Sequence, residues 1–81
     1  MNDQFINELK DLLLLNQGIS AINLLKEYRN IIKTHPDYLD DQSSDDIYYM
    51  ERQKKLSYDE VSDNILSSIS ALEKGYFGNK N

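Results

Sequence analysis

The residues able to do chemistry in this chain are few. One histidine is present, His35, and no cysteine. His35 has no serine nucleophile or second histidine near it in the sequence, so it reads as a helix-end contact and not as a general base. The three glycines are Gly18, Gly75 and Gly78, and they form no phosphate-cradling loop. Carboxylates are plentiful, and Asp41, Ser43 and Asp45 imitate the first, third and fifth positions of a calcium loop. The sixth position should then be glycine and is Asp46, and the twelfth should be glutamate and is Arg52. In an open polar segment, nothing would hold one carboxyl of a pair protonated near neutral pH. The expectation is a protein that is not an enzyme and that needs no metal or cofactor.

The chemistry that remains is recognition. Asp37, Asp40, Asp41, Asp45 and Asp46 fall within ten residues that contain no Lys or Arg, and these five acids equal the whole formal net charge of -5. A localised negative field repels nucleic acid and phosphate-rich membranes, and it attracts basic proteins at rates that fall with salt. Tyr48 and Tyr49 follow immediately. Adjacent positions on a helix lie about 100° apart, so both rings cannot enter one buried stripe, and at least one should face solvent. An exposed tyrosine beside acids suits a binding anchor, because its ring covers a large area for little lost entropy while its hydroxyl tolerates water. The competing structural role is one ring in the core and the other shielding a helix. The candidate partner-binding residues are therefore Tyr48, Tyr49, Asp45, Asp46, Asp40 and Asp41.

The elements that must position them are helical. Phe5, Ile6, Leu9, Leu12 and Leu13 recur at helical spacing, which predicts a helix over 3–16 with Gly18 as a left-handed cap. Ser20 can begin a second helix over 20–34, with Ala21, Leu24, Leu25, Tyr28, Ile31 and Ile32 on its apolar face, and Pro36 marks its end. The stretch 37–43 reads as a loop. A short third helix over 45–54 then starts at Ser43 or Ser44, with Asp45 and Asp46 in its first turn. Its length is open between one turn and three. Ser57 with Glu60 has the form of a capping box, and Leu56 with Val61 that of a hydrophobic staple. They open a fourth helix over 58–74 whose buried face is Val61, Ile65, Ile69 and Leu72, closed by Gly75. The fold class expected is all-α: one domain over 1–81, a small antiparallel four-helix bundle with a short third helix.

At 81 residues, with 40% hydrophobic and 28% charged side chains, such a domain holds about 3–5 kcal/mol of stability from one core. Asp3 and Glu8 precede the apolar run Leu12 to Leu15, which is not the pattern of an export signal, and no stretch approaches the ~20 apolar residues that span a bilayer. A cytoplasmic location follows as an expectation, which the absence of cysteine suits.

One stretch carries a family resemblance. His35 and Pro36 at the end of a second helix, followed by Ser44, Asp45, Ile47, Tyr48 and Tyr49, resemble the His-Pro and Ser-Asp-x-Ile-Tyr-Tyr signature of the immunity proteins of colicin- and pyocin-type nucleases. The rest of the chain is loosely similar: two helices stand before the His-Pro, and a last helix ends near Gly75, Phe77 and Gly78. The resemblance implies a small acidic four-helix bundle that binds a bacteriocin nuclease beside its active site. It also implies that Tyr48 and Tyr49 are the anchors, with Asp45 pairing with a basic or amide group of the toxin. The chain departs from the pattern at three places. Met50 stands where a proline follows the tyrosine pair, seven residues separate Pro36 from Ser44 where the family turns more tightly, and the tryptophan of the last helix is absent. The outward positions of the second helix include Lys26, Glu27, Arg29 and Lys33, mixed in sign, so no toxin-selecting residue carries over from it. The partner implied is a basic protein, a nuclease toxin, with no direct contact to nucleic acid or membrane, and the chain itself a monomer or weak dimer. Two other roles fit the same residues: a phage-encoded inhibitor whose acids mimic nucleic-acid phosphates, and a helical adaptor that self-associates or docks another helical domain.

Overall fold

The computed structural model describes residues 3–35 and 41–75, with side chains from Gln4 in the first stretch and from Ser44 in the second. Four helices make up these residues: α1 Asp3–Leu15, α2 Ala21–Lys33, α3 Asp41–Arg52 and α4 Tyr58–Glu73. Each forms where an apolar stripe at three- and four-residue spacing meets a local start or stop signal. Phe5, Ile6, Leu9 and Leu12 of α1 are buried, with Leu13 packed at the margin. α1 ends because Asn16 turns its amide onto the Leu12 carbonyl at 2.9 Å and Gly18 takes φ 86°, a left-handed conformation that costs a side-chain-bearing residue about 1–2 kcal/mol.

Ser20 then caps α2, its hydroxyl accepting from the Asn23 amide at 3.3 Å. Leu24, Leu25, Tyr28 and Ile32 are buried, with Ala21 and Ile31 packed at the margin, so the six apolar positions read from the sequence all join the core. α2 ends at Lys33, where Thr34 and His35 fold their amides back onto the Ile31 and Ile32 carbonyls. His35 stacks on Phe5 with ring centroids 4.5 Å apart and lies 3.3 Å from the Glu8 carboxylate. The histidine thus ties the end of α2 to the start of α1.

α4 begins at the serine cap that the sequence signals, but only half of the capping box closes, because the Glu60 carboxylate does not return to the Ser57 amide. The Ser57 hydroxyl accepts from the Glu60 amide at 3.1 Å, and Leu56 packs against the cluster that contains Val61. The carboxylate of Glu60 meets the Gln53 side chain at 3.4 Å, so it links the α3–α4 connection to the first turn of α4. Val61, Ile65, Ile69 and Leu72 are buried, and Gly75 closes the helix with φ 79°.

The first and last helices, α1 and α4, pack antiparallel. Tyr58 at the start of α4 donates to the Asn16 carbonyl at the end of α1, at 3.3 Å, while Lys10 pairs with Glu73 near the other end of α4 at 2.9 Å. The largest fully buried side chain is Tyr28, at the centre of α2. Its hydroxyl donates to Asn64 Oδ1 at 2.9 Å and accepts from Ser68 Oγ at 2.7 Å, both on α4. A buried phenol left unpaired would oppose folding, and here both of its roles are met. α3 is held mainly against α2. Among the described residues no buried side-chain polar atom lacks a partner, and no helix is long and apolar enough to cross a membrane.

One boundary differs from the sequence reading. The sequence reads 37–43 as a loop, with the third helix beginning at Ser43 or Ser44; residues 37–40 lie outside the described residues, and the difference falls on 41–43. Instead α3 starts at Asp41, so the serines lie inside it, and it ends at Arg52, giving 12 residues and a little over three turns. The physical reason is that acids favour a helix N-terminus wherever they occur, and Asp41 takes that place instead of Asp45 and Asp46. Serine inside a helix costs only a few tenths of a kcal/mol, which the anchoring of Ile47 and Met50 offsets. Lys54 and Lys55 fall beyond the end of the helix, and Arg52 is the basic residue of its last turn.

Candidate protein-binding face

The rotation of α3 about its axis is set by Ile47 and Met50. They are three residues apart, share one face, and are both buried. Helical geometry then decides everything else on this element. Tyr48 and Asp45 stand on the outward side, and Tyr49 lies 100° further round from Tyr48, also away from the core. The tyrosine rings are 60% and 63% exposed respectively. The sequence required one outward ring; the structure presents two, because the core takes Ile47 and Met50 in their place.

Met50 does a second thing. A proline at this position would cost a backbone hydrogen bond and kink the helix. With methionine there, α3 continues to Arg52. That extra half-turn brings Arg52 back over Tyr48: the guanidinium Nη1 donates to the phenol oxygen at 3.1 Å, and Cζ lies 5.4 Å from the ring centroid. A hydrogen bond and a cation–π contact therefore act on one exposed ring, reducing the conformational freedom it would lose on binding. The sequence reading did not pair Arg52 with Tyr48, although their four-residue spacing is the signal that would have done so.

Asp45 is exposed and has no partner among the described residues, so its charge faces solvent undiminished. Asp46 is half-buried. Asp41 is the first residue of α3, with its side chain outside the described residues, and Asp40 lies outside them altogether. The structure therefore brings Tyr48, Tyr49 and Asp45 together on one outward surface, and it places Asp46 at that surface's margin.

On the inner flank of Tyr48, α2 and α3 leave a cleft of about 240 Å³. Its floor is Ile32 and Ile47, and across it Arg29 Nε meets the Glu51 carboxylate at 2.7 Å. That ion pair cancels Arg29 against Glu51 and leaves Lys33 as the net charge of the cleft wall, while Asp45 and Arg52 offer charges of opposite sign beside the tyrosines. Among the described residues there is no group of three or more acidic, histidine or cysteine side chains placed to hold a metal ion.

Set against known proteins, the chain matches no family model, no curated protein and no solved structure. The likeness to nuclease immunity proteins rests on the residues quoted from the sequence alone.

Proposed function

We propose that this chain is a protein-binding inhibitor of the immunity type. In this reading the outward face of α3 docks on a basic nuclease toxin in the cytoplasm, and the chain catalyses no reaction of its own. The observation that carries the proposal is the exposure of Tyr48 and Tyr49 together on a helix whose core contacts are made by their neighbours. The fold gains nothing by turning two adjacent aromatic rings to water, whereas a partner that desolvates them gains a large area at small entropic cost. Asp45, free beside them, supplies a charge for a basic or amide group of the toxin.

The direct test takes the catalytic domain of a bacteriocin-type nuclease encoded next to this chain's gene and measures nucleic-acid cleavage as the chain is added. Inhibition should be complete at equimolar chain. Undiminished cleavage with the chain in large excess would remove the immunity reading.

The same complex gives a kinetic expectation. Association should slow steeply as salt rises, while dissociation changes little, because long-range attraction is screened over ~10 Å at 0.1 M salt. Asp45→Asn should flatten that dependence and weaken binding by less than either tyrosine truncation does, since exposed charge pairs contribute about 0.2–1 kcal/mol. Stopped-flow rates at several salt concentrations read this out. An unchanged salt slope in the variant would put Asp45 outside the contact.

A further inference from the structure

A second surface lies on α1 and α4, and the function proposed for α3 does not use it. Leu13, Leu14, Leu66 and Ile69 line an open groove of about 300 Å³ between these helices. Leu14 and Leu66 are 66% and 51% exposed, so this face keeps large aliphatic side chains in water. Single exposed leucines are ordinary, but here they border one groove.

Lys10 lines the groove itself, and the charges on the adjoining strip of α4 say what fits beside it. Asp59, Asp63, Ser70, Glu73 and Lys74 are all exposed. They stand at offsets of three, four, seven or eight from Leu66, so they share its strip of α4. The strip is acidic at its start, with Asp59 and Asp63. At its end are Lys74 and, from α1, Lys10, which pairs with Glu73 at 2.9 Å. The acidic end thus carries two negative charges and the other end a net single positive charge. Two copies of this strip laid antiparallel about an axis between residues 66 and 67 place Asp59 of each opposite Lys74 of the other, because 59 and 74 are equidistant from that axis. Asp63 then falls opposite Ser70, a small residue that lets the helices approach. The same arrangement opposes the two helix dipoles. A surface that is complementary to itself under a two-fold rotation is the condition for an isologous dimer.

The geometry points to a second copy of this chain as the occupant: a weak two-fold dimer through the α1–α4 groove, centred on Leu66. Because α3 packs chiefly on α2, its outward face stays free, and the dimer presents two such faces. The groove is small, about 300 Å³, so the dimer is expected to be weak, with a midpoint in the range of tens of micromolar.

Sedimentation velocity of the purified full chain, from about 5 to about 500 µM, tests this in a range that brackets the expected midpoint. The mass should rise reversibly from 9.5 kDa toward twice that value and stop there. Leu66→Lys, at an exposed position, should keep its circular dichroism and remain monomeric throughout, and its inhibition of the nuclease should be unchanged. Asp59→Lys and Lys74→Glu should each be monomeric alone, since each puts like charges together. Mixed in equal amounts they should dimerise, because both contacts are then opposite in sign. A wild-type chain that stays at 9.5 kDa, a mass that grows past the dimer, a Leu66→Lys variant that still dimerises, or a folded mixture that stays monomeric would each overturn the proposal. None of these measurements involves the nuclease except the control with Leu66→Lys, so failure here is distinct from failure of the immunity reading.

Discussion

Tyr48→Ala and Tyr49→Ala should each leave the helical content unchanged, and each should cost at least tenfold in affinity for the nuclease partner. The first half follows from burial. Rings that are 60% and 63% exposed contribute little to a core built on Ile47 and Met50, so truncation leaves no cavity. The second half follows from what an anchor loses: a desolvated aromatic at the centre of an interface typically costs upward of ~2 kcal/mol on truncation, and tenfold is only ~1.4 kcal/mol. The two positions should differ in kind. Tyr48 is held by Arg52, whereas Tyr49 has no partner among the described residues. Arg52→Ala should therefore weaken binding through Tyr48 alone. A double-mutant cycle should show Arg52 coupled to Tyr48 and additive with Tyr49. Calorimetric titration with the nuclease domain measures the three single variants and the two doubles. If both tyrosine variants stay folded and bind as the parent does, the face on α3 is not the docking surface, and the reading built on it falls.

The largest effect on stability should come from Tyr28. It is 1% exposed and stands between α2 and α4. Truncating a large buried aromatic to alanine costs about 3–5 kcal/mol. That matches the whole stability of about 3–5 kcal/mol that one core of this size supplies, so Tyr28→Ala should be substantially unfolded at room temperature. Tyr28→Phe separates the ring from its hydroxyl. The ring stays packed, while Asn64 and Ser68 lose the group they share. Both are only part-buried and recover some solvation, so the cost should be near ~1 kcal/mol. Urea denaturation should show a lower midpoint for Tyr28→Phe with an unchanged slope, the sign of a stability loss without a change in exposed surface. A Tyr28→Ala chain as stable as the parent would mean that the core does not close around α2.

How far the sequence reveals this molecule varies from helix to helix. α4 is legible because several independent signals agree on it: a serine cap, an apolar residue on either side of it, a four-membered buried stripe and a closing glycine, all of which the structure reproduces. α2 is legible for the same reason. The start of α3 is not, because Asp41, Gln42, Ser43 and Ser44 carry no apolar period, and serine is as suited to a cap as to a place inside a helix. The binding face is half-legible. Two tyrosines side by side force at least one outward, but the second is turned out only because Ile47 and Met50 fill the space beneath. The α1–α4 groove escaped the sequence reading because Leu14 and Leu66 lie off the main stripes, and single apolar residues there look like ordinary surface.

The modest anchoring of α3 has a consequence for how the molecule breathes. Among the described residues, Ile47 and Met50 are the buried side chains that tie this helix to the core, and α2 is its chief support. The other three helices hold twelve of the fourteen buried apolar side chains described. Backbone amides of α3 should accordingly exchange with deuterated water through a partial opening well below the global unfolding free energy, while those of α2 and α4 wait for the whole chain to unfold. Whatever grips the outward face of α3 also suppresses that opening, and so must supply the free energy of holding it shut. Slowed exchange confined to α3 is then the imprint a bound partner leaves on the free energy surface of the chain.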